Sequence, residues 1–183
     1  KTTTTSMISQ ILLEADADPT ISVGGILPSI GGHIRVGQSE TFVTEACEYT
    51  NSFLSFFPKI SVILNIDADH LDFFKDIDDI RHSFRKFAQL LPADGALIIN
   101  ADTPHYQDII KDLSCKIITY GLEHEAQYQA TDITYDKYGH ASFTVMKDGR
   151  KAGSFYLKVP GSHNVSNALA AIALARLLQI PDD

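Results

Sequence analysis

The chain opens Lys1-Thr2-Thr3-Thr4-Thr5-Ser6. A lysine followed by hydroxyl residues at the head of a helix is half of a phosphate-binding loop, whose usual pattern is G-x-x-x-x-G-K-[ST]. In that pattern the ammonium pairs with phosphate oxygens and the next hydroxyl ligates magnesium. The first amides of the helix hold the remaining oxygens. The glycine half of the pattern is not in the sequence, so the same letters also read as a threonine-rich helix start whose hydroxyls cap free amides.

Three further stretches carry chemistry-capable residues. Thr44 to Phe53, TEACEYTNSF, puts Glu45 at the end of an expected buried strand, where open α/β sheets bind ligands. A carboxylate there can hold magnesium, or can be an ordinary strand-end acid satisfied by amides. Asn65 to Phe74, NIDADHLDFF, crowds Asp67, Asp69, His70 and Asp72 into a loop beyond a second strand. Neutral imidazole can ligate a divalent cation, although magnesium prefers oxygen; Asp67 reads equally as a solvated charge. Pro160 to Ala171, PGSHNVSNALAA, sets His163, Asn164 and Asn167 at a helix start, with Asn164 or Ser162 as candidate caps. Amide side chains both donate and accept, which suits an adenine edge, and a capped core helix with an incidental Asn would look the same.

The elements that must position these residues follow from hydrophobic spacing. Met7, Ile8, Ile11, Leu12 and Ala15 predict a helix over about 3–15 that ends at Asp18-Pro19. A glycine-rich stretch, 24–37, follows without an assigned element, and 41–45 reads as a short strand. Ile60 to Ile66, ISVILNI, is a nearly continuous apolar run, which suits a strand buried on both faces. Ile77, Ile80, Phe84, Phe87 and Leu91 mark an amphipathic helix. Strands are expected at 96–99 and 116–120, with a helical stretch at 104–113 between them. This alternation predicts an α/β fold, a mostly parallel sheet with helices on both faces. From about 125 to 160 the apolar residues alternate singly, around a turn at Lys147-Asp148-Gly149-Arg150, which predicts a small antiparallel sheet. An alanine- and leucine-rich helix over 164–178 closes the pattern.

Composition narrows the partners. The 183 residues carry 15 Lys+Arg against 23 Asp+Glu, a net charge of −8, which argues against nucleic acid or an anionic membrane as the main partner. A nucleotide is still allowed, because a phosphate site is built locally. The two cysteines, Cys47 and Cys115, form neither a disulfide framework nor a zinc pattern, and fit reduced thiols in a cytoplasmic protein. No signal peptide and no membrane-length apolar run is visible.

The four stretches, in this order, resemble the central domain of the Mur ligases, ATP-dependent amide-bond ligases of peptidoglycan precursor synthesis. Lys1-Thr2-Thr3 is similar to the end of that family's G-x-x-G-K-[ST]-[ST] loop. Glu45-Ala46-Cys47-Glu48-Tyr49 resembles its E-A-D-E motif with a following aromatic or Ser. Asn65, Ile66, Asp69, His70 and Asp72 match N-I-x-x-D-H-x-D, and His163, Asn164, Asn167 and Ala168 match H-N-x-x-N-A. Cys47 and Thr50 depart from acids usual in the family. The resemblance covers essentially all of 1–183. It implies a central ATP-binding domain, with an N-terminal UDP-binding domain and a C-terminal domain lying outside this sequence.

Within the family, Gly31-Gly32-His33-Ile34-Arg35-Val36-Gly37 resembles the G-x-H-x-R-x-G segment of the L-alanine-adding branch. Phe84 falls where several sister ligases have a carboxylated lysine. The nearest alternative is the branch that recycles murein tripeptide onto UDP-N-acetylmuramate. A nucleotide-binding module without ligase activity is a further alternative. The resemblance implies ATP and Mg2+ as cofactors, and UDP-N-acetylmuramate and L-alanine as substrates of the full-length enzyme. It assigns Lys1, Glu45 and His70 to catalysis; Lys1, Thr2, Thr3, His163, Asn164 and Asn167 to the nucleotide; and Thr2, Glu45 and His70 to magnesium. His33 and Arg35 are assigned to the nucleotide-sugar. The excised chain is expected to be inactive.

Overall fold

The structure, a computed structural model, describes residues 1–181. Helix α1 (Thr2–Glu14) is followed by strands β1 (Thr20–Leu27), β2 (Gly32–Arg35) and β3 (Phe42–Thr44). After a kinked 3-10 segment over Tyr49–Ser55 come β4 (Ile60–Ile63), α2 (Ile77–Gln89), β5 (Ala96–Asn100), α3 (Tyr106–Ile110) and β6 (Lys116–Gly121). Strands β7 (Tyr128–Tyr135), β8 (Ala141–Lys147) and β9 (Arg150–Tyr156) precede the long helix α4 (Ser162–Leu177).

The main sheet has six strands in the order β4-β5-β6-β7-β8-β9; the first four run parallel and the last three form an antiparallel meander. Helices cover both faces, as the β-α alternation predicts. Successive strand side chains point to opposite faces. On β5, Ile98 therefore joins α1 and α4 in one core, while Leu97 and Ile99 join α2 and α3 in the other. All three are fully buried, each contributing about 1.5–3 kcal/mol over an exposed position. Helix α4 is buried from Ala168 through Ala175 without a break, because small alanines let α1 and the sheet approach it from two sides.

Several expectations are corrected. The glycine-rich stretch, to which the sequence assigns no element, is mostly strand. Residues 20–27 and 32–35 form a two-stranded turn-back, helped by Gly31 at φ 66°, and β1 also pairs in parallel with β3. The small sheet β2-β1-β3 stands beside the main one. β3 is half exposed, with Phe42 outward, and not the buried strand expected there. The antiparallel strands are no sheet apart, since β7 pairs with β6 at Tyr120↔Tyr128 and Gly121↔Gln129. β4 stops at Ile63, and the Leu64 carbonyl instead accepts the side-chain amide of Asn100. Helix α3 is shorter than expected because His105 and Asp112 adopt left-handed backbone at either end. Neither Ser162 nor Asn164 caps α4; Gly161 stands at the cap position and Asn164 lies inside the first turn.

Candidate active site

The site forms where α1 begins, beside the ends of β3 and β4. Gly24 and Gly25 lie within β1, and a glycine inside a strand marks a close approach. A Cβ at Gly24 would stand 3.0 Å from a Glu45 carboxylate oxygen, and one at Gly25 would stand 3.1 Å from Thr2 Cγ2. Bare backbone at these two positions lets Glu45 and the head of α1 come in against the strand. The Gly24 amide donates to Glu45 Oε1 at 2.6 Å, and the Thr2 hydroxyl donates to Glu45 Oε2 at 3.2 Å.

Lys1 stands at the cap position of α1, and no side chain caps that helix start. Its ammonium donates to Glu48 Oε2 at 2.5 Å. The other Glu48 oxygen lies 3.8 Å from His70 Nε2, which is equally far from Asp69. The Tyr49 ring packs on the His70 ring at 4.6 Å, and the Tyr49 hydroxyl donates to Asp72 at 2.7 Å. That hydrogen bond, with the Asp72 charge, pushes the Tyr49 pKa up. His70 itself has left-handed backbone, φ 55°. Lys1 and Thr2, Glu45, and His70, from three segments distant in sequence, thus meet around one carboxylate-rich edge. Asp67 is exposed and bonds the Asn65 side chain, as a solvated charge would.

The α4 residues behave differently from a free amide edge. Asn164 is 3% exposed and donates to the Pro160 carbonyl. Asn167 donates to Asn164 Oδ1 and accepts the Thr4 hydroxyl, both at 3.0 Å. Asn164 is therefore turned inward and orients Asn167, which in turn ties α4 to α1. Thr3 and His163 are exposed, and the His163 ring lies over Gly161. Arg35 is not brought to the site: its guanidinium bonds the Pro19 carbonyl and the Asp18 carboxylate, holding the Asp18 pKa down. His33 is exposed on β2.

Sequence reasoning missed the contacts of Gly24, Glu48 and Tyr49. The glycines within a Thr-Ile-Ser-Val alternation were the available signal for the first. The donors present suit magnesium, which is held by few protein oxygens and completed by waters and phosphate. Thr2 and Glu45 supply two such oxygens side by side. Among the described residues no group of three or more His, Cys, Asp or Glu is arranged to hold a metal by itself. Cys47 is exposed, Cys115 is buried, and both are free. A separate apolar cavity of about 340 Å³ lies between α1, α4 and β9, lined by Met7, Ile11, Phe155, Leu157, Ala171 and Ile172 among others. It holds no group that could do chemistry on phosphate, so the site is placed at the Lys1–Glu45 edge.

A family model described as the Mur ligase middle domain matches residues 1–175. The chain belongs to the Mur ligase middle-domain family. A UDP-N-acetylmuramate–L-alanine ligase of Agathobacter rectalis is 59% identical to this Mur ligase middle domain over 183 residues, 100% of the chain and 40% of that protein. The ligase of the same description from Caldanaerobacter subterraneus is 54% identical over 180 residues, 98% of the chain and 39% of that protein. The chain thus spans about two fifths of the length of the curated relatives it matches. Among solved structures, a UDP-N-acetylmuramate:L-alanyl-γ-D-glutamyl-meso-diaminopimelate ligase from Neisseria meningitidis superposes with a TM-score of 0.85 at 31% identity, over 98% of this chain and 59% of that one. A UDP-N-acetylmuramate–alanine ligase from Thermotoga maritima gives 0.84 at 29%, over 97% and 39%. In this Mur ligase middle domain Phe84 packs edge-on against Phe53 at 5.3 Å, as a core side chain. Among its described residues, no helix is long and apolar enough to cross a membrane.

Proposed function

We propose that the chain is the ATP-binding centre of a ligase that joins L-alanine to UDP-N-acetylmuramate through an acyl phosphate. The observation that carries this reading is the meeting of an ammonium, a hydroxyl, a carboxylate and an imidazole at the uncapped start of α1. Relatives named as L-alanine ligases at 54–59% identity support the choice of amino acid. Among the solved structures the tripeptide-joining neighbour at 31% and the alanine ligase at 29% are about equally similar, so the choice leans on the sequence relatives.

Bound magnesium would draw charge off the phosphate oxygens that meet the substrate carboxylate. Thr2 and Glu45 would hold that ion, Glu45 being aimed by the Gly24 amide. Lys1 would leave Glu48 to offset phosphate charge, and the first amides of α1 would take phosphate oxygens. His70 would stand where the muramoyl carboxylate arrives and, with a second cation, hold it toward phosphate. Asn167, aimed by Asn164, would meet adenine, with Thr3 and His163 at the rim of the nucleotide. His33 is left as a candidate contact to the nucleotide-sugar; Arg35 serves the β1–β2 pairing. Protein groups in such a reaction mostly position and neutralise charge. Nucleotide reactants point to a cytoplasmic location.

The test uses the full-length enzyme. Phosphate release should depend on L-alanine and not on the tripeptide, and His70→Ala should cut it by roughly 10²-fold or more. Equal turnover with tripeptide would favour the recycling branch. A His70→Ala variant with wild-type alanine-dependent turnover would remove His70 from the chemistry, whereas a full-length protein that binds nucleotide without any alanine-dependent turnover would favour a nucleotide-binding module.

A further inference from the structure

We propose that Tyr49 is a positioning residue that fixes the His70 loop through two separate attachments. The proposal deepens the ligase reading above and rests on it for the importance of His70. The loop from Asn65 to Asp72 is mostly exposed, and its acids repel one another. His70 within it has left-handed backbone, a conformation that persists for a non-glycine residue only where the surroundings hold it. Within the loop, the His70 amide bonds Asp69 and the Asp69 amide bonds the Asp67 carbonyl. The His70 carbonyl also accepts the Phe73 and Phe74 amides, and buried Ile66 and Phe74 root the loop in the core at its two ends, which leaves the stretch between them to be held.

Tyr49 fastens that stretch. Its ring lies on the His70 ring at 4.6 Å and edge-on to Phe73 at 6.2 Å. Its hydroxyl reaches past His70 to Asp72 at 2.7 Å. One side chain therefore grips residues 70, 72 and 73. Tyr49 is itself anchored. It begins the 3-10 segment whose Phe53 is 1% exposed and stacked on Phe87 of α2 at 4.6 Å. Asn51, two residues on, bonds Ser83 of α2. The residue before Tyr49 is Glu48, which reaches both Lys1 and His70. A core-anchored segment thus sets the distance between the phosphate lysine and the imidazole, and Tyr49 is its contact with the imidazole ring.

The experiment is done on the full-length enzyme with Tyr49→Phe, Asp72→Ala, the double variant, Asp72→Asn and Tyr49→Leu. Amide hydrogen exchange over residues 67–74 should rise in Tyr49→Phe and in Asp72→Ala, and no further in the double variant. Asp72→Asn, which keeps an acceptor for the phenol, should recover most of the loss. Tyr49→Leu, which also loses the ring, should exchange fastest. The kcat should fall in parallel, roughly two- to tenfold for Tyr49→Phe, with the KM for nucleotide unchanged. A fall in melting temperature alone, with loop exchange and kcat intact, would overturn the proposal, as would losses that multiply in the double variant. Faster exchange with unaltered kcat would keep Tyr49 as a loop anchor and overturn its bearing on the reaction. An inactive wild-type enzyme would instead refute the ligase reading, and the exchange rates would still decide whether Tyr49 holds the loop.

Discussion

Glu45 illustrates how much one residue depends on the absence of another's side chain. Its carboxylate receives the Gly24 amide at 2.6 Å, a contact possible because nothing projects from Gly24. In Gly24→Ala the new methyl would press on the Glu45 oxygens at 3.0 Å. The carboxylate is the end of a flexible side chain, so it gives way more easily than the strand. The variant should therefore melt within about 3 °C of wild type, while the full-length enzyme should need several-fold more magnesium for half-maximal turnover. A melt and a magnesium titration separate the two effects; a large loss of stability with an unchanged titration would refute this account. The site's residue types were legible in the sequence because phosphate chemistry demands few of them: an ammonium, hydroxyls and an acid near a helix start. What was not legible was which acid each group would meet. Lys1 meets Glu48 and Thr2 meets Glu45, and that choice is a tertiary outcome: the Gly24 amide aims Glu45, while Glu48 heads the 3-10 segment that is tied to α2. The Asn164 side chain was misjudged for a related reason, since hydrogen bonding by a first-turn asparagine can run inward as easily as outward.

At the scale of elements, the apolar run 96–99 announced its parallel strand, because burial on both faces leaves no room for polar alternation, and the mainly apolar 60–63 and 116–120 marked its partners although each keeps one face less buried. The β1–β2 turn-back was hidden by its glycines, which carry no strand signal of their own. Strand order was also silent: that β7 joins β6, making one sheet of parallel and antiparallel parts, is a tertiary outcome. The ends of these strands are laced together by Asp102. Its carboxylate accepts the amides of Leu122, Glu123 and His124 and the His124 ring, while Asn100 accepts the Asp102 amide. Burial alone would raise the Asp102 pKa, but the amides and the imidazole outweigh it and hold it below the ordinary carboxylate value. A carboxylate with a lowered folded-state pKa stabilises fully above its unfolded pKa, and the contribution disappears as pH falls through the lowered value. Asp102→Asn should therefore melt lower than wild type at pH 7, by roughly 2–6 °C. The gap should narrow as pH falls below the unfolded carboxylate pKa of about 3.9, and melting curves from pH 7 to pH 2 check this. A gap that is constant with pH would assign the loss to packing.

At the scale of the whole molecule, the decisive feature is that the site is an edge and not an enclosure. The Lys1 side chain is 43% exposed and that of His70 31%, and the apolar cavity between α1, α4 and β9 lies elsewhere. An acyl phosphate is attacked by water as well as by an amine, so a ligase must exclude water while the amine arrives. Electrostatic groups on an open edge also act through a high dielectric and lose much of their strength. On the proposed ligase reading, this chain would supply one wall of such a chamber. It spans two fifths of its curated relatives, which leaves ample chain in proteins of that size for the opposite wall. The 183-residue chain by itself should accordingly give no alanine-dependent phosphate release, under conditions where the full-length enzyme turns over. A coupled phosphate assay run on both, with and without L-alanine, is the measurement. Release from the short chain that rises with L-alanine would mean that the edge alone holds both reactants and keeps water out. The division of labour argued here, with this domain positioning phosphate and further chain closing the chamber, would then be wrong.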